Sequence, residues 1–407
     1  MRLQILFVLL LVIPLLTRLF FYQDSRHIYK EGEVFELTYS MNHEPRKNER
    51  SQYFFVDSVM ITFPLYPAFS YGDKIHVKGL VEKVSGNKGD LLIVKNPEVT
   101  KLENKNPLFN VTKFIRQRVE ESVTTLLPER EAGLLLGIIL GVRDKIDGEF
   151  YQKLRSVGVL HVVAASGQNV SIIAGILLIA LQKIVKRKMA ILLTMAGILF
   201  YAVLSGFDPP IVRASLMAII TFGAMAFGRQ TSGVYALMVA CWGMVMWDPS
   251  LLSNTSFHLS VLSTWGILTI KPILDNGISV KRLIVARDDI TTTISAQIAT
   301  FPIMILAFGT YSLISIPVNL LVLWTVPVLM IGGGVAALLS LILPQLSIPV
   351  LLLTYPILAY FTFVVELFSR LDYIFTFQQI PQLLIFGYYL ILFGIVIGVN
   401  NRGGNKS

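Results

Sequence analysis

Nine apolar runs follow one another through the second part of this chain, near residues 168–184, 188–206, 210–227, 232–247, 253–272, 289–309, 314–340, 348–368 and 382–399. A helix needs about 20 apolar residues to cross the hydrocarbon core of a bilayer, so most of these runs have the length of a membrane span. A tenth run, residues 3–22 (LQILFVLLLVIPLLTRLFFY), opens the sequence. It is long for a signal peptide, and no small-residue cleavage site follows it. A retained helix is therefore expected, with Arg2 on the cytoplasmic side. The fold class expected is a polytopic α-helical membrane protein of about ten transmembrane helices.

Charged residues make up 15% of the chain, against about 25% in soluble domains, and the shortage is uneven. Residues 23–106 hold 12 basic and 12 acidic residues and read as ordinary soluble protein. The formal charge of +9 comes from Arg2, Arg18 and an excess of 21 basic over 14 acidic residues after residue 106. Cytoplasmic loops of membrane proteins collect Lys and Arg in any case, so net charge says nothing about nucleic acid. The single cysteine, Cys241, lies in an apolar run and excludes a disulfide framework or a cysteine-based metal site.

Within the neutral insert, Glu33–Ser40, Tyr53–Phe63, Lys74–Val84 and Asp90–Leu102 alternate polar with apolar residues, and Ser85-Gly86-Asn87-Lys88-Gly89 reads as a turn. Such runs predict a small all-β barrel or sandwich. Gly72-Asp73, a strand and then Gly79 fit an OB-like barrel, and another small β-fold fits the pattern nearly as well.

Residues 107–167 neither span a membrane nor read as soluble. Val111–Leu127 predicts an amphipathic helix with Arg116, Arg118, Glu120 and Glu121 on its polar side. Gly133–Gly141 is apolar but too short to cross, which suits an interfacial helix or a re-entrant half-helix. Non-helical backbone at that depth survives only inside protein or beside a wet cavity.

The basic residues orient the whole. Lys183, Lys186, Arg187 and Lys188 lie between two spans, as do Lys271, Lys281, Arg282 and Arg287, and the tail carries Arg402 and Lys406. The loops Phe207–Pro209 and Asp248–Ser250 have no Lys or Arg. The positive-inside rule then puts both termini in the cytoplasm and the β-domain outside it. The expected divisions are an N-terminal helix at 1–22, an extracytoplasmic β-domain at 23–106, amphipathic and re-entrant helices at 107–167, a transmembrane domain at 168–400 and a cytoplasmic tail at 401–407.

Polar residues inside apolar runs are the candidates for function. On one helix, His161, Ala165, Gln168 and Asn169 would share a face, and Ser166 and Gly167 lie among them. Polar groups facing hydrocarbon are costly, so this face should turn into the bundle or toward water; hydrogen bonding between helices is the competing role. Gly167 either permits close packing or breaks the helix beside a cavity. Arg213, one turn beyond Pro209-Pro210, is either an interfacial snorkelling side chain or a cation that meets phosphates. His258, Gln297 and Asn319 are further path candidates, each equally at home as a buried hydrogen-bonded side chain. Gly332-Gly333-Gly334 suits close helix contact.

No H-x-H-x-D-H, H-E-x-x-H or G-x-x-x-x-G-K-[ST] motif occurs, and none of the five histidines pair at metal-ligand spacing. No metal, cofactor or catalytic residue is expected.

The order of these segments resembles the ComEC-type competence family. Its Gly-x-x-His-x-x-x-x-Ser-Gly stretch after a Leu/Gly-rich half-helix is matched by Leu134-Leu135-Leu136-Gly137, Gly141-Val142-Arg143, Gly158-Val159-Leu160-His161 and Ser166-Gly167. Further matches are Pro210, Arg213-Ala214 and Met217; Asp248-Pro249 before Phe257-His258-Leu259-Ser260; and Gln297, Pro302, Phe308-Gly309 and Asn319-Leu320-Leu321. The resemblance implies an extracytoplasmic OB domain and a channel in the bacterial inner membrane that admits one strand of DNA. It differs at Gln168-Asn169, where the family usually has Leu-His, and the metallo-β-lactamase-like domain common at the family's C-terminus is not expected here. The implied partners are single-stranded DNA, membrane lipids, a DNA receptor, a separate nuclease, a cytoplasmic motor or helicase, and a second copy of the chain.

A wet path lined by donors and modest positive charge would suit a strand with one phosphate per nucleotide. Tyr53, Phe54 or Phe55 beside Lys74 and Lys78 would add base stacking on the β-domain. Two other classes stay open: a small-solute or lipid transporter, and an intramembrane hydrolase with Ser166 as nucleophile and His258 as base.

Overall fold

The computed structural model describes residues 12–22, 29–41, 45–47, 51–56, 59–86, 89–104, 106–163, 166–277, 284–371, 374–376 and 381–404. Arg2, His27, His43, the Asn87-Lys88 turn, Ala165, Lys281, Arg282 and Lys406 lie outside the described residues.

Among the described residues the insert has seven strands rather than the four runs of the sequence: β1 Val34–Ser40, β2 Arg46–Lys47, β3 Ser51–Val56, β4 Val59–Pro64, β5 Lys74–Gly86, β6 Gly89–Lys95 and β7 Glu98–Leu102. The run Tyr53–Phe63 is a hairpin, with Val56 paired to Val59. The run Asp90–Leu102 divides near Asn96, whose φ of 47° is left-handed. The sheet order is β1-β5-β6-β4-β3-β2, with β7 also on β5 and with β4 parallel to β6. The long β5 serves two half-sheets: Lys74–Lys78 pair with β1 and β7, and Val81–Gly86 pair with β6. Gly79 lies at the changeover, where a Cβ would come 2.5 Å from Val94 Cγ1. Phe35, Ile61, Phe63, Ile75, Val77 and Val94 fill the core between the two halves.

The remaining chain is helical. Its helices are α1 Val12–Tyr22, α2 Pro107–Leu126, α3 Glu129–Leu140, α4 Gly148–Ser156, α5 Leu160–Val163, α6 Gly167–Gln182, α7 Arg187–Leu204, α8 Pro209–Ala226, α9 Gly233–Trp247, α10 Thr255–Thr269, α11 Lys271–Gly277, α12 Ile284–Phe308, α13 Ser315–Val322, α14 Thr325–Ile342, α15 Pro344–Ser369 and α16 Gln382–Gly404. Among the described residues, six helical stretches are long and apolar enough to cross a membrane: 187–204, 209–226, 255–276, 287–308, 325–342 and 344–369. Four further apolar helices are shorter: 12–22, 167–182, 233–247 and 383–399. Leu338, Ile342, Leu353 and Leu383 point outward, an apolar exterior suited to lipid.

Two local breaks show how the bundle accommodates irregular backbone. The expected span 314–340 divides into α13 and α14, and the carbonyl of Leu321 near the division accepts the Tyr360 hydroxyl at 3.1 Å. Pro302 inside α12 has no N–H for the carbonyl of Ile298. Tyr388 of α16 donates to that carbonyl at 2.8 Å, and Tyr389 to the next one, Ala299, at 3.0 Å. An unmet carbonyl in a lipid environment would cost several kcal/mol, and Tyr388 meets the one that Pro302 leaves open.

The short apolar run around Gly133–Gly141 forms α3, with every residue from Ala132 to Leu140 buried. It is a central post rather than an interfacial helix. Gly141 ends it in the left-handed conformation (φ 72°), as a helix C-terminus favours. Arg116 also departs from expectation. Placed on the polar face of its helix by sequence, it is buried, with Nη1 donating to the Leu204 carbonyl at 2.9 Å.

Candidate functional site

The segment His161–Asn169 is not one continuous helix. α5 covers Leu160–Val163, Ser166 is extended, and α6 begins at Gly167. The common face expected for His161, Gln168 and Asn169 is therefore not formed. The reason lies in packing on both sides. A Cβ at Gly158 would come 2.5 Å from Ser315 Cβ, and Gly137 of α3 lies against Val163. The backbone at Gly158 and Val163, on either side of α5, thus fits closely between α3 and α13.

Asn169 holds the new helix in place. It is fully buried, and its Nδ2 donates to the Ile138 carbonyl at 2.8 Å. That carbonyl is one of the unpaired groups at the end of α3, because Val142 N turns back to the Leu136 carbonyl instead. Asn169 Oδ1 accepts from Ser166 Oγ at 3.1 Å. Ser166 thus donates to Asn169, and no bond joins Ser166 and His258 among the described residues. His161 and Gln168 are exposed, while Ser166 and Gly167 are half-buried.

Arg213 approaches this turn from α8. Pro209-Pro210 start that helix, where a missing N–H is harmless, and Asp208 just before it pairs with Arg143 at 2.9 Å. One turn on, Arg213 is 5% exposed, which excludes the snorkelling alternative. Its Nε donates to Ser260 Oγ of α10 at 2.8 Å, and its Nη1 lies 3.0 Å from Met217 Sδ. Its Nη2 lies 2.8 Å from where a Cβ on Gly167 would stand. Gly167 is thus required for close approach as well as for the start of the helix. Among the described residues Arg213 has no carboxylate partner.

The other candidates separate into two groups. Gln297 Nε2 donates to Ser315 Oγ at 3.0 Å and its Oε1 accepts from Tyr311 at 2.8 Å; Ser315 connects it to the Gly158 turn. His258 is half-buried, two residues from the Ser260 that holds Arg213. Asn319 is buried, and its Oδ1 has no partner among the described residues. On the β-domain, Tyr53 and Phe55 form an edge-to-face pair at 6.1 Å, with Phe55 exposed. Lys74 and Lys78 do not stand beside them. They lie on the half of β5 that pairs with β1 and β7, and Lys78 pairs with Glu36 at 3.8 Å. The strand register instead puts Tyr53 opposite Arg46 and Thr62, with Lys95 one strand further on.

Sequence reasoning passed over Ser260, Ser315, Tyr311 and the Arg143–Asp208 pair. The signal for the pair was present: an acid directly before two prolines at the start of an apolar run. Hydroxyls within apolar helices carry no sequence signal of a partner, since most bond to their own helix.

Apolar helices around buried Asn and Arg and half-buried Gln side chains define a polytopic membrane protein whose bundle is tied together by polar groups. The model of the family described as "Competence protein" matches residues 138–402, and the chain belongs to that family. It is also similar to "ComE operon protein 3" of Bacillus subtilis (strain 168), with 24% identity over 229 residues, 56% of this chain and 29% of that protein. The chain thus matches less than a third of its relative's length. No solved structure matches.

Proposed function

We propose that this protein takes part in DNA uptake and forms a path for single-stranded DNA through the bacterial cytoplasmic membrane. The observation that carries the reading is Arg213, a guanidinium buried without a carboxylate partner among the described residues, within the stretch that matches the competence family. A buried charge at membrane depth is expensive and marks function by default. A passing phosphate would compensate it temporarily, where a permanent carboxylate would abolish it. His161, Ser166, Gly167 and Gln168 would line the approach, with His258 and Gln297 nearby; Asn169 and Asn319 would shape it from within the packing.

The β-domain is read as an OB-like barrel on the outer side, with both termini in the cytoplasm. The basic stretch Lys183–Lys188 between α6 and α7 supports that orientation, as does the lack of Lys and Arg at Phe207–Pro209. The reading is of a conduit, not an enzyme. A DNA receptor, a nuclease, a motor or helicase, and self-association would complete the system.

The test is deletion of the gene in its native host, with transformation frequency measured beside uptake of fluorescent DNA. Loss of transformants while DNA still collects at the surface would support passage at this membrane. Failure of His161→Ala and Arg213→Ala to complement, at wild-type protein levels, would assign the path to those residues. Unchanged transformation in a host with no second homologue would reject the reading and favour a small-solute transporter.

A further inference from the structure

Two features of opposite chain origin but like charge meet at the start of α6. The first is the helix end itself. α6 has sixteen residues, and Ser166 gives its first amides no side-chain cap, because its hydroxyl donates to Asn169. The backbone N–H groups of Gly167 and Gln168 make no hydrogen bond among the described residues. Such an end carries about half a positive charge. The second is Arg213, whose Nη2 lies 2.8 Å from where a Cβ on Gly167 would stand and has no hydrogen-bond partner among the described residues.

A cation 95% buried next to the positive end of a helix is doubly unfavourable unless an anion joins them. The fold nevertheless holds it there: Ser260 fixes Nε, and Gly167 has no side chain to displace the guanidinium. We propose that Arg213 Nη2 and the amides of Gly167 and Gln168 together form a binding site for one phosphate group. A tetrahedral oxyanion can give one oxygen to the guanidinium and another to the helix end. A phosphodiester stays anionic throughout the physiological range, so the site would need no proton to bind it. The exposed Gln168 and half-buried Gly167 leave the corner open on one side. In the conduit reading, on which this assignment of the ligand rests, the phosphate belongs to the passing strand; inorganic phosphate and lipid headgroups present the same chemistry.

Hydrogen–deuterium exchange of the full chain in phosphate-free maltoside micelles tests the site directly. The probes are inorganic phosphate, a fifteen-nucleotide oligo-dT, the same oligomer with an uncharged methylphosphonate backbone, and phosphatidylglycerol. Phosphate at ten times its Kd is expected to slow exchange at residues 167–168 about tenfold. The same protection by oligo-dT, but not by its methylphosphonate form, assigns the site to nucleic acid. Protection by phosphatidylglycerol or inorganic phosphate without oligo-dT keeps the phosphate site but overturns its assignment to the strand.

Arg213→Gln should abolish protection and Gly167→Ala should weaken it, with exchange in α7 showing that the bundle is intact. No protection by any probe, or protection unchanged in both variants, overturns the proposal even where gene deletion abolishes transformation.

Discussion

The guanidinium carbon of Arg116 lies 4.2 Å from the ring centroid of Tyr71, and both side chains end on one helix terminus. Tyr71, in the loop before β5, donates to the Val203 carbonyl at 2.5 Å, and Arg116 of α2 donates to Leu204 at 2.9 Å. These are the last two carbonyls of α7; Val203 also accepts the backbone N–H of Gly206 at 3.1 Å, and a cation there meets the negative end of the helix dipole. One clamp thus joins the β-domain, α2 and the membrane bundle. Tyr71→Phe should cost about 1 kcal/mol and Arg116→Met about 2–3 kcal/mol. Thermal unfolding in detergent measures both, and a double-mutant cycle should show coupling between them. Melting at the wild-type temperature in both variants would mean that the clamp carries no stability.

Asp73 makes the same junction sensitive to acid. It is buried, and it accepts from Lys101 at 2.9 Å, from Lys113 at 2.5 Å and from the backbone N–H of Ser70 at 3.0 Å. Burial alone would push its carboxyl up, but the two lysines and the amide outweigh that and hold it below the usual value. The folded state therefore releases this proton more readily than the unfolded chain. The resulting stability is full above about pH 4 and is lost as pH falls through the folded value. Asp73→Asn should cost about 2 kcal/mol at pH 7 and flatten the decline between pH 5 and 3. An acid limb as steep in Asp73→Asn as in wild type would assign the effect to other carboxylates.

The kink at Pro302 supplies a third test. Tyr388→Phe leaves the Ile298 carbonyl unpaired and should cost about 0.6–1 kcal/mol. Pro302→Ala restores an N–H within the helix and should make Tyr388→Phe nearly harmless. If the two costs simply add, the tyrosine is not compensating for the proline.

Much of this architecture is written locally. Apolar runs identify the helices because a span must satisfy its own backbone, and period-two alternation marked the strands. The hairpin near residues 57–58 was hidden because Val56-Asp57-Ser58-Val59 contains neither Gly nor Pro to mark a turn. Arg116 was misplaced for a different reason. Helical periodicity groups charged residues on a wet face, whereas its partners, the Tyr71 ring and the Leu204 carbonyl, come from distant parts of the chain. The same limit applies at the candidate site. Asn169 and Gln297 stood out as polar residues in apolar runs, but the carbonyl and hydroxyls they meet are set by helix packing. Gly167 was read as a helix break or a close-packing point, yet only contact with Arg213 of α8 shows why it excludes a side chain, as contact with Ser315 of α13 does for Gly158.

Gly137 connects the central post to the site. A Cβ there would press into Val163 Cγ1 and stand 3.1 Å from the Val163 carbonyl. The methyl could rotate away, but the carbonyl moves only with α5, the short helix that carries His161. Gly137→Ala should therefore cost about 1–3 kcal/mol through overpacking, despite the better helix propensity of alanine. Val163→Ala added to it should recover the part owed to the methyl and leave the part owed to the carbonyl. Gly175→Ala in α6 is the matched control, since a Cβ there meets nothing within 4 Å; it should be neutral or slightly stabilising. In the conduit reading, Gly137→Ala should also lower transformation at normal protein levels by displacing His161, with partial rescue by Val163→Ala. Equal melting of the Gly137 and Gly175 variants would show that α3 and α5 can separate without cost, and the tight seating of the His161 segment would have to be abandoned.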